Sequence, residues 1–130
     1  MPWVDAFLVE DAIPRSAASY DLVLAASVFT HLLDWEWWML EIRRVLVAGG
    51  LLLATFVGPG MYAEFGEPDG MAVLNSDQSW DLGGPIVVHQ PWWIREHWGR
   101  LLDIVELHNS GFAHPDDRSR GSGVVLLRHS

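Results

Sequence analysis

The chain has no cysteine in its 130 residues, which excludes disulfides and thiolate metal sites and leaves the compartment unassigned by redox chemistry. The cytoplasm is the default expectation. Positive charge is scarce: eight Lys and Arg stand against seventeen Asp and Glu, for a net charge of -9. A chain of that sign repels nucleic acid and anionic membranes alike, so neither is expected as a partner. A small neutral or cationic ligand meets no such barrier. No secretory leader is evident, because Met1-Pro2-Trp3 lacks a basic start and Asp5, Glu10 and Asp11 interrupt any apolar core. The uncharged run between Arg44 and Glu64 reaches the roughly 18 residues a spanning helix needs. Gly49-Gly50 and Gly58-Pro59-Gly60 break it, so it reads instead as helix end, buried strand and turn. Internal repeats and low-complexity tracts are also missing.

What remains is a globular composition, half hydrophobic, 19% charged and unusually rich in indole with eight Trp. Its length suits one domain with a real core. The central stretch is YDLVLAASVFTHL, Tyr20 to Leu32. From Leu22 to Val28 it is apolar or small without polar alternation, which suits a parallel strand buried on both faces. Polar groups return with Ser27, Thr30, His31 and Asp34. Ligands of open α/β sheets gather beyond the carboxyl ends of the strands, so this junction is a candidate site.

The remaining pattern supports that reading. AFLVE near the amino end is a short candidate strand, followed by acidic Glu10-Asp11. Asp34 can cap a helix to about Ala48, with Trp35, Met39, Ile42 and Leu46 at helical spacing and Trp38 and Val45 widening the face. Gly49-Gly50 is expected to end it, and LLLATFV follows as a second apolar strand, completing a right-handed βαβ unit. Residues 58–88 read as a long Gly- and Pro-containing loop insertion, with one helical turn at Met61 to Phe65. Such loops, beyond about 12 to 15 residues, are usually functional or disordered. Pro91 opens a further helix, and DIVELHN and GVVLLRH read as strands joined by the polar GFAHPDDRSRGS.

YDLVLAASVFTHL, WEWWMLEIRRVLVAGGLLLATFVG, HQPWWIREHWGRLLDIVELHNSGF and the closing GVVLLRH, in this order, resemble the C-terminal half of class I S-adenosylmethionine-dependent methyltransferases. The resemblance implies an α/β fold: a partial doubly wound, Rossmann-like sheet of parallel strands with an antiparallel C-terminal strand. It implies S-adenosylmethionine as cofactor and a small-molecule acceptor. It assigns Ser27 and Val28 to the cofactor wall, mainly through backbone, and likens Glu10-Asp11-Ala12 to the acidic turn that reaches the adenine amino group. Asp11 and Ala12 are the candidates there. The family's glycine-rich loop and ribose-holding acid have no counterpart, since the glycines present follow a helix and a strand instead of opening a helix. The chain therefore looks truncated, with its Leu22 to Ala26 strand left unpaired along one edge. Such an edge pairs with a second copy or another chain.

Among single residues, His31 is the candidate catalytic base, because methyl transfer needs a nucleophile freed of its proton. A His at a helix start serves equally as a packing residue, and Asp11 and Ser27 also suit turns for local reasons. The tryptophans suggest an aromatic cage for a cation, but Trp35, Trp38 and Trp98 fall on apolar faces and read as core. Trp37, Trp80 and Tyr62 are better candidates for a pocket wall or contact surface. No metal site is expected, since the spacings of His31, His89, His97 and His114 match no compact ligand pattern. A hydrolase triad lacks its G-x-S-x-G elbow. The alternative to an enzyme is a non-catalytic interaction module that pairs through its exposed sheet edge.

Overall fold

The computed structural model describes residues 13, 15–114 and 116–130. The AFLVE segment, Asp11 and Ala12 lie outside them. Strand β1 (Tyr20–Ala25) leads through a 3-10 turn into helix α1 (Trp35–Val45), which runs directly into β2 (Leu46–Phe56). A short helix α2 (Tyr62–Phe65), strands β3 (Met71–Leu74) and β4 (Ile86–His89), helix α3 (Pro91–His97) and strands β5 (Asp103–Phe112) and β6 (Ser122–Arg128) follow. The main sheet has the order β1-β2-β6-β5. β1 and β2 are parallel, while β6 runs antiparallel to both β2 and β5. This is the expected partial α/β sheet with one reversed strand at the C-terminus.

The helix-spaced stripe of α1 makes the core. Trp38, Met39, Ile42, Val45 and Leu46 are buried against Leu52, Ala54 and Phe56 of β2, Val125 and Leu127 of β6, and Ile94, Trp98 and Leu102 from α3 and the turn behind it. Each side chain of this size stabilises by about 1.5–3 kcal/mol when fully withdrawn from water. Because strand side chains alternate, the same strands present Leu22, Leu24, Leu51, Leu53, Val124 and Leu126 to the other face, and there every one is half-buried or exposed. Parallel sheets normally cover both faces. Leu22 and Leu24 of the edge strand are 43% and 54% exposed, so the expected burial of β1 on both sides is corrected. Among the described residues nothing pairs with its outer edge.

Two boundaries also move. β1 ends at Ala25, not Val28, because Ser27 adopts a left-handed backbone (φ 57) that takes the chain out of the ladder. The helix ends at Val45, and Gly49-Gly50 sits inside β2 instead of after the helix. Pairing jumps there from Tyr20↔Leu46 to Leu22↔Leu51. The extra residues are accommodated by left-handed Gly49 (φ 82), a conformation that costs glycine little. Asp34 occupies the position before α1, yet its side chain makes no capping hydrogen bond. Residues 58–88, without any strand pattern in the sequence, hold a two-stranded antiparallel ribbon of β3 and β4. No helix among the described residues is long and apolar enough to cross a membrane.

Glu41, off the apolar stripe, is buried nonetheless. Its carboxylate accepts hydrogen bonds from the Ile13 amide at 2.7 Å and from Arg44, whose guanidinium also donates to the Ile13 and Arg15 carbonyls. This cluster fastens the lead-in to β1 onto α1. The Arg44 hydrogen bond, above all, holds the Glu41 pKa below the ordinary carboxylate range. A carboxyl depressed on folding contributes stability above its unfolded pKa of about 4.3 and loses it as pH falls through the folded value. Glu41→Ala is expected to lower unfolding free energy at pH 7 by about 2 kcal/mol, the scale of a hydrogen bond to a charged group. Urea unfolding at pH 7 and pH 3 checks this, with the difference between variant and wild type shrinking at the lower pH.

Candidate active site at the strand ends

The parallel pair β1 and β2 places two carboxyl ends side by side. Beyond β1 the chain bends at Ser27, whose amide donates to the Thr55 hydroxyl at 2.8 Å. Thr55 is buried at the end of β2, so its hydroxyl fixes the exposed, left-handed Ser27 in place. Such backbone is held only when the surroundings over-determine it, and it concentrates at ligand sites. Val28 follows, half-buried against the core.

The 3-10 turn Phe29–His31 comes next. Phe29 and Thr30 are buried and anchor the turn, while His31 remains partly accessible. Its Nδ1 lies 2.7 Å from the carbonyl oxygen of Pro85. A carbonyl only accepts, so Nδ1 carries the proton and Nε2 of the neutral ring keeps its lone pair. The Trp80 ring stands edge-on to His31 at 5.9 Å. Both partners belong to residues 58–88, which fold back over the strand ends: Val57 bridges to Val88, and the His89 amide donates to the Val57 carbonyl at 2.9 Å. The turn leaving β2 is held close to the β5–β6 hairpin. A Cβ on Gly60 would sit 2.3 Å from the Gly121 carbonyl oxygen, so only glycine fits there.

Ser27, Val28 and His31 are thus brought to one junction, and Trp80 to its rim. Tyr62 sits in the same overlying segment; burial, and secondarily Glu67, raise its pKa, so its phenol is a donor at neutral pH. Trp37 is elsewhere, on the outer face of α1. Trp38 and Trp98 are buried as expected, and Trp35 packs edge-on to Trp93 at 5.0 Å. Trp93 stacks on His97 at 4.2 Å. These rings fill one another's faces instead of forming an open cage. Thr55 and Pro85 were not expected at the site. Thr55 is the single polar residue within LLLATFV, a signal in the sequence; the Pro85 carbonyl leaves none. No group of three His, Cys, Asp or Glu able to hold a metal occurs among the described residues.

The sheet order is that of a partial Rossmann-like α/β fold, with the polar junction of Ser27 to His31 at its strand ends. Residues 5–54 match the family model described as a methyltransferase domain. The fold is similar to that of an S-adenosylmethionine-dependent methyltransferase from Mesorhizobium loti (13% identity, TM-score 0.65, covering 95% of this chain and 67% of that one). It is similar also to one from Methanosarcina mazei (14%, 0.54, 90% and 62%). A third match is to a complex between the Haloferax volcanii Trm112 methyltransferase activator and a methyltransferase (15%, 0.62, 92% and 57%). No curated protein matches in sequence. The chain spans 57–67% of the length of these three solved chains. Residues 5–54 are thus similar in sequence to a methyltransferase domain, and the described chain shares the fold of these S-adenosylmethionine-dependent methyltransferases over the part it spans.

Beneath the site, His89 is fully buried between Trp93 and Trp98, and neither ring nitrogen has a partner among the described residues. Burial lowers its pKa to about 3. Unfolded, it titrates near 6.5, so between these values the unfolded chain binds a proton that the folded one does not, and stability falls as pH falls. Thermal melts from pH 7.5 to 5 should show a steeper loss for wild type than for His89→Leu, by up to about 1.4 kcal/mol per pH unit; parallel curves would refute the assignment.

Proposed function

We propose that this chain supports methyl transfer from S-adenosylmethionine to a small-molecule acceptor, with Ser27 and Val28 as one wall of the cofactor site. Asp11 and Ala12, outside the described residues, are proposed as its adenine contact. The observation that carries the reading is the polar bend at the shared carboxyl end of β1 and β2, fixed by the bond from Ser27 to Thr55. That bend would offer one side of an adenosyl ligand the exposed backbone and hydroxyl of Ser27. When bound, the cofactor supplies an electrophilic methyl group on a sulfonium centre.

His31 is the proposed base. The Pro85 carbonyl fixes its tautomer, and Nε2 takes the proton of an acceptor hydroxyl or amine as its lone pair becomes the nucleophile. Trp80 gives the acceptor an apolar edge to lie against. The acidic chain favours neutral or cationic acceptors over nucleic acid. The uncovered sheet face and the free edge of β1 are proposed to receive the remaining strands and helices of a complete methyltransferase sheet. The same exposed Leu22 and Leu24 favour a second reading, a non-catalytic module that pairs with a partner through this edge.

Titration calorimetry with S-adenosylmethionine separates the two. Binding is expected; none, with a folded circular dichroism spectrum, would leave only the interaction module. Across a panel of amine and hydroxyl acceptors with labelled methyl donor, His31→Ala should lower turnover about 10²–10⁴-fold, the usual range for a general base, with cofactor affinity unchanged.

A further inference from the structure

A second apolar surface is separate from the sheet face and the strand ends. At the start of α1 and away from its buried stripe, Leu33, Trp37 and Leu40 are 52%, 45% and 46% exposed. Trp37 and Leu40, three residues apart, share one side of the helix, and Leu33 stands just ahead of its first turn. With Asp34, Trp35 and Glu36 they line a shallow groove of about 440 Å³. A solvated helix face ordinarily carries polar residues where this one carries Trp37 and Leu40.

The flanking charges point to the occupant. Asp34 and Glu36 lie at the amino end of the stripe, Arg43 and Arg44 at the carboxyl end. Glu36 and Arg43 are seven residues apart and so share one flank; both are exposed, and the Arg43 Nε donates to the Leu101 carbonyl at 3.1 Å, which keeps the guanidinium on that side. A helix with acid at one end and base at the other complements a copy of itself running the opposite way. A parallel arrangement would instead oppose like charges.

We propose that α1 is a homodimer contact, with two copies packing antiparallel about a two-fold axis. Trp37 of each protomer lies on Leu40 of its partner, and Glu36 sits beside the partner's Arg43. The contact is isologous, so each favourable pair occurs twice. Trp is the residue type most often dominant in such contacts. An 11-residue helix is only about 16 Å long, so the interface is smaller than the standard of roughly 1,600 Å² and the dimer belongs to the weak, concentration-dependent class.

Sedimentation equilibrium across the micromolar range tests this. Wild type should dimerise reversibly. Glu36→Arg, which sets Arg against Arg, and Leu40→Glu, which puts charge in the seam, should each raise the dimer dissociation constant at least about tenfold. The double variant Glu36→Arg with Arg43→Glu should recover most of the lost affinity, which distinguishes a charge pair from general damage to the helix. All three substitutions are at exposed positions, and circular dichroism verifies that each variant is folded. A monomer at every concentration would overturn the proposal. So would a dimer indifferent to both single changes, as pairing through the β1 edge would give, or a double variant no better than Glu36→Arg alone.

Discussion

β2 is the strand on which the other layers depend. It is hydrogen-bonded along both edges, parallel to β1 and antiparallel to β6, and its exit at Val57 carries β4. Its inward residues Leu52, Ala54 and Phe56 are fully buried, which leaves little freedom of register: a slip of one residue would turn all of them outward. That fixed register also places the Thr55 hydroxyl under the Ser27 amide. The constraint that builds the core therefore shapes the site.

The chain's polar features divide according to what they hold. Glu41 and Arg44 tie the approach to β1 onto the helix. Thr55 and the Pro85 carbonyl orient groups that stay accessible, Ser27 and His31. His89 is different, since it spends its polar atoms on no partner among the described residues and is kept neutral by the indoles around it. A buried group of this kind costs stability unless something else needs it there, and its position at the end of β4 joins the overlying segment to α3.

Much of this was legible in residue order. The apolar stripe of α1 and the continuous runs of β1 and β2 carry the βαβ unit, and the alternation in DIVELHN with the apolar run in GVVLLRH carries the hairpin that closes the sheet. The junction at Ser27 to His31 was legible because polar residues cluster abruptly after an apolar run. What escaped was nonlocal. MAVL and IVVH are too short to show a period, and the β3–β4 ribbon forms because its strands pair across eleven intervening residues and dock on Val57. Gly49-Gly50 looked like a helix stop and is an irregularity within a strand, a distinction made by the pairing partner Tyr20 and not by the glycines. The burial of Glu41 depends on the Ile13 amide arriving from another segment.

The central claim is that the carboxyl ends of β1 and β2 form one wall of an S-adenosylmethionine site. Amide chemical-shift mapping tests it most directly. On titration with S-adenosylmethionine, the amides of residues 25–31 and 55–58 should shift together and saturate at one affinity, while β5 and the outer face of α1 stay unmoved. Shifts confined to other surfaces, or none at all in a spectrum that remains dispersed, would contradict the account.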